Sequence, residues 1–93
     1  MSDTLTRALQ LSQHMLAAAQ AQAWDTVTAL NAERNPLLLG AHAPDATTRA
    51  QLAQILACNR ELATQVARAR DAVAVQWQRE NTRLQAVAAY AQA

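Results

Sequence analysis

The stretch TTRAQLAQILACNRELATQVARARDAVAVQWQRENTRLQAVAAYA, residues 47–91, decides the fold. It contains neither Gly nor Pro. Its apolar positions Leu52, Ile55/Leu56, Leu62, Val66, Ala69, Val73, Trp77, Leu84 and Val87/Ala88 are spaced in steps built from three and four. That period predicts one long amphipathic helix, because a strand would alternate. At 1.5 Å per residue the helix is about 65 Å long, more than a compact domain of this size can surround. Part of its apolar face is therefore expected to meet another chain.

The 93 residues allow one domain, 1–93, with a modest core, since much of the 52% hydrophobic content is Ala. One Gly, two Pro, two Trp, one Tyr and no Phe point to an all-α fold. Eight basic residues, all Arg, against seven acids give a net charge of +1 and no electrostatic reason to expect nucleic acid. A lone Cys58 asks for no oxidising compartment, so the cytoplasm is the expected location. No basic leader followed by an apolar core opens the chain, and no window is apolar enough to span a membrane.

Outward from the long stretch, Asp45 is the preferred N-cap for the third helix, with Thr47 or Thr48 as alternatives. Gly40 is the natural stop for the helix before it, and residues 41–44 read as a loop. The second helix carries Trp24, Val27, Leu30, Arg34 and Leu37/Leu38, with Pro36 expected to kink or fray its last turn. The first helix is preceded by the N-cap candidates Ser2, Asp3 and Thr4 and places Leu5, Leu9, Met15 and Leu16 on one side. A tight reversal is expected near residues 20–23, although no Gly or Pro encodes it. The boundaries are about 4–20, 24–39 and 46–91, an antiparallel helical hairpin packed on a longer third helix. Two arrangements of the last turns fit the residues. Either the long helix continues through Asn81 and Thr82, or Leu84, Val87 and Tyr90 form a short C-terminal helix folded back.

Chemistry is sparse. His14 and His42 lie far apart with no carboxylate or Cys at metal-ligand spacing, and Cys58 has no His nearby in sequence. A single Gly cannot build a phosphate loop. No enzyme, metal or cofactor is expected. Arg60, Arg68, Arg70, Arg79 and Arg83 are interleaved with Glu61, Asp71 and Glu80, which describes a solvated face better than a phosphate-binding one. Leu52, Ile55, Leu56 and Leu62 are read as core, as is Trp24. Glu33 and Arg34 are read as a solvated pair or as packed against the first helix.

Two signatures resemble the FliT family of flagellar export chaperones. The first is Trp24-Asp25 followed by Val27, Leu30, Glu33-Arg34 and Pro36-Leu37-Leu38. The second is Ile55-Leu56, Asn59, Leu62, Arg70-Asp71 and Ala89-Tyr90, and the Leu11-Ser12-Gln13 and Met15-Leu16-Ala17 steps also fit. The resemblance implies a small cytoplasmic helical protein that binds the filament-cap protein before type III export and helps deliver it to the export ATPase complex. In some bacteria it also implies binding to the flagellar master regulator. This sequence stops soon after Tyr90, where some relatives continue into a tail. Cap-protein binding is therefore the first carry-over, ahead of regulation or autoinhibition.

Such a chaperone needs a groove with anchors at helical spacing. The candidates are Leu62, Val66, Val73, Trp77, Leu84, Val87 and Tyr90 on the third helix, edged by Leu37 and Leu38. The competing expectation is a self-assembling helical adaptor or a regulator-binding protein using the same stripe, with a homodimer as one form.

Overall fold

The computed structural model describes residues 3–92. It contains α1 (Asp3–Gln20), α2 (Trp24–Leu38) and α3 (Ala46–Gln92), with no strand among the described residues. The all-α hairpin-on-long-helix architecture is thus the observed one. Ser2, one of the three N-cap candidates, lies outside the described residues.

The reversal between α1 and α2 is made by backbone geometry alone. Gln22 takes φ 60°, its N–H donates to the Ala19 carbonyl (3.0 Å), and the Ala23 N–H donates to the Ala18 carbonyl (2.9 Å). This pair of bonds is a Schellman cap with Gln in the left-handed position that usually selects Gly. Gly40, the one residue suited to such a cap, is not used as one: α2 ends at Leu38 and no Gly has positive φ. Pro36 shortens the last turn, where the Leu39 N–H donates to the Pro36 carbonyl at 3.4 Å. Asp45 caps α3, its carboxylate accepting the Thr48 N–H at 2.7 Å.

α1 is the middle element. Its backbone lies against both α2 and α3, whereas α2 and α3 meet only through side chains. α1 therefore buries a broad arc made of Leu5, Ala8, Leu11, Ser12, Met15 and Ala19. This corrects the expected seam: Leu9 and Leu16 are half-buried at its edge. The small Ala8, Ser12 and Ala19 turn inward because they allow close helix approach, a role that a pattern of large apolar residues does not reveal. Leu5, Ala8 and Ile55 form one cluster with Leu9, Leu37 and Leu38 against it. Met15, Ala19 and Val27 form a second with Ala18, Trp24, Leu30 and Leu62.

Because only α1 brings its backbone against α3, only a narrow arc of α3 is buried, at Thr48 and Ile55. Leu52 and Leu56, expected in the core, are exposed by 38% and 50%. Both lie 60–100° to the same side of Ile55 at about 100° per residue, on the flank that no helix covers.

α3 runs without a break through Asn81 and Thr82 to Gln92, so the last turns are not folded back as a separate helix. At about 1.5 Å per residue, its 47 residues far outreach the 18 and 15 of α1 and α2. The molecule measures 72 × 20 × 20 Å, and the second half of α3 projects as a lone arm.

Candidate partner-binding site

The apolar stripe of α3 leaves the core without ending. Where the hairpin stops, Val66, Ala69, Val73 and Trp77 continue on the face that carries Ile55 and Leu62 nearer the N-terminus. At 100° per residue they all fall within about 60° of Val66. Trp24, in the first turn of α2, leans over the same face. Trp24, Val66, Ala69, Arg70, Val73, Ala74, Trp77 and Gln78 line an open groove of about 570 Å³. Trp24 belongs to the core and the groove at once: it is half-buried against Met15, Ala19 and Val27 while its outer face walls the groove. Across from it Val73 and Trp77 remain 66% and 65% exposed. For two large apolar side chains on adjacent turns of one face, that exposure marks a surface that meets another molecule.

The candidates named from sequence fall into three sets. Val66, Val73 and Trp77 come together in the groove. Leu84 and Val87 extend the stripe along the lone arm, each 59% exposed, after an interruption at Glu80 and Asn81. Tyr90, 86% exposed, stands about a third of a turn from Leu84 and so faces away from the groove. Leu62 packs into the second core cluster, and Leu37 and Leu38 pack beside Ile55, about 16 Å along α3 from Val66. Those two leucines close the core at the far end and do not line the groove.

About two turns of α3 before the groove, at Asn59, a polar layer ties the three helices. Arg34 is 6% exposed, and its Nη1 donates to Ser12 Oγ of α1 at 3.1 Å and to Asn59 Oδ1 of α3 at 2.6 Å. Its Nη2 donates to Asn31 Oδ1 (3.2 Å) and Asn35 Oδ1 (3.3 Å). Ser12 passes the chain on, donating its hydroxyl to the Ala8 carbonyl at 2.9 Å. Among the described residues the buried Nε has no partner, and burial pulls the guanidinium pKa below its ordinary value. Glu33, beside Arg34 in sequence, pairs instead with Arg7 of α1 at 2.9 Å on the surface. Both residues thus pack against the first helix, the second of the two expected arrangements.

His14 is exposed on α1, and His42 sits in the α2–α3 loop with its Nε2 3.4 Å from the Leu38 carbonyl oxygen. No group of three or more metal-ligating side chains occurs among the described residues, and no described helix is long and apolar enough to cross a membrane.

A family model described as "Flagellar protein FliT" matches residues 2–92. The chain belongs to the FliT family. The Trp24-Asp25 and Arg70-Asp71 signatures thus pointed to the right family over essentially the whole chain. FliT proteins are flagellar export chaperones. Searches among curated proteins and among solved structures returned no match.

Proposed function

We propose that this FliT-family chain works in the cytoplasm as one helical unit, binding the flagellar filament-cap protein before type III export and helping deliver it to the export ATPase complex. The observation that carries this reading is the unbroken passage of the α3 stripe from core to open surface, with Trp77 exposed beside Trp24. Val66, Val73 and Trp77 are the anchors. Leu84 and Val87 extend the same face, and Tyr90 contacts the part of the partner that wraps beyond it. A helix or an extended terminus laid on this face would be shielded from premature assembly without any chemical reaction.

The test is isothermal titration of the chain with a peptide from the C-terminus of the filament-cap protein of the same bacterium. Saturable binding near one peptide per chain, weakened by Trp77→Ala at unchanged helicity, supports the reading. Absence of binding by a folded, monodisperse sample overturns it. The competing reading is self-assembly through the same stripe, favoured by the exposure of Leu84 and Val87. It requires a tight oligomer of the free chain by light scattering. Binding to the flagellar master regulator is a further use of the same face, tested by titrating that protein.

A further inference from the structure

Among the groove's lining residues, Arg70 alone carries a charge, and no lining residue is acidic. The positions that could reach it along α3 are Val66 and Ala67 on one side and Val73 and Ala74 on the other, none of them acidic. The two ion pairs among the described residues, Arg7 with Glu33 and Arg83 with Glu80, do not involve it. Of the other charged residues of the projecting arm, Asp71, Arg79 and Arg83 sit with Val75 on the opposite face, and Glu80, on the stripe one turn beyond Trp77, pairs with Arg83.

From this we infer that the groove takes an amphipathic helix of the partner bearing a carboxylate at the edge of its apolar face, and that Arg70 selects this carboxylate. The inference rests on the proposed chaperone reading and deepens it by naming the chemistry of the bound segment. Val66, Val73, Trp77 and Trp24 supply affinity through apolar burial, which accepts many helices. Arg70 supplies choice and register, because a guanidinium flanked by apolar surface pairs with a carboxylate in a setting partly cleared of water. A helix without an acid at that point leaves the cation half-desolvated and unpaired, and is rejected.

The experiment titrates purified full-length filament-cap protein into the wild type, Arg70→Gln, Arg70→Glu and, as a control, Arg68→Gln. Arg68 is exposed and lines a neighbouring hollow instead of the groove. The expected result is a loss of about tenfold in affinity for Arg70→Gln, a larger loss for Arg70→Glu, and a flattened salt dependence in both. Arg68→Gln stays within about twofold of wild type, and all four chains melt alike because neither Arg is buried. Affinity unchanged in Arg70→Gln, or lowered equally by Arg68→Gln, overturns the role of Arg70 while leaving the chaperone reading standing. No binding by the folded wild type overturns both. A tight dimer of the free chain, dissolved by Trp77→Arg, assigns the groove to a second copy and also overturns the inference.

Discussion

Arg34 Nη1 and Asn59 Oδ1 are 2.6 Å apart, a polar tie between two helices, α2 and α3, whose backbones do not touch. Asn59 takes a hydrogen bond from a buried cation that has no carboxylate near it, so its loss leaves a charged donor unsatisfied. Asn59→Ala is expected to lower stability by about 1.5–3 kcal/mol in urea unfolding. A change below about 0.5 kcal/mol would show that water replaces the amide at no cost.

Leu11 and Leu56 are both helical leucines but stand on opposite sides of the burial boundary, at 0% and 50% exposure. Leu11→Ala is expected to cost about 2–5 kcal/mol and Leu56→Ala less than about 1 kcal/mol. Equal costs in chemical denaturation would mean that α2 or a second chain covers Leu56 in solution.

Gln22, at φ 60°, occupies a backbone region that costs an L-residue about 1–2 kcal/mol. Gln22→Gly removes that strain but adds freedom to the unfolded chain, so a net gain of about 0.5–1 kcal/mol is expected. Thermal melting of the two chains under identical conditions measures it.

The Asp45 carboxyl pKa lies below its ordinary value of 3.8, chiefly because the ion accepts the Thr48 backbone N–H. A carboxyl that is more acidic when folded stabilises the fold fully above its unfolded pKa, and the contribution disappears as pH falls through the folded value. Asp45→Ala should therefore melt lower than wild type at pH 7, and the gap should close on acidification to below the folded pKa. A gap independent of pH would point to a purely conformational effect of the substitution.

Trp77→Ala removes a side chain that is 65% exposed and belongs to neither core cluster. Its melting temperature should match wild type, while affinity for the cap-protein peptide should fall by at least about 2 kcal/mol, as for aromatic anchors at the centre of an interface. A matching fall in melting temperature would instead place Trp77 in a folded contact.

The helices were legible because long Gly- and Pro-free stripes leave a chain of this composition little else to do, and Asp45 was legible as a cap because its chemistry is local. The reversal at Gln22 could be located only by where the second stripe begins, since the strained residue is an ordinary Gln held by packing on either side. The interior position of Arg34 was half visible, as one member of an apolar stripe. Its partners Ser12, Asn31, Asn35 and Asn59 are neutral and scattered over three helices, so no spacing rule gathers them. Leu56 was misplaced for a related reason: periodicity gives the direction of a stripe, whereas its buried width depends on how many helices lie against it. The groove was partly legible. Val66, Val73 and Trp77 follow from period, but the wall that Trp24 contributes comes from the hairpin's fold, and Arg70 stands out only once the positions three and four residues away on α3 are seen to be uncharged.

The lone arm also governs how this protein diffuses. A compact chain of 93 residues has a radius of gyration of about 12 Å, whereas this one has 20.1 Å. A rod of that kind drags more solvent than a sphere of equal mass, so a single copy would leave a sizing column early and pass for a pair. Mass measured by light scattering or sedimentation equilibrium is free of that confusion. If a helical peptide docks along the arm as proposed, the complex gains mass with little gain in length, so binding would register as a rise in sedimentation rate with hardly any change in elution volume.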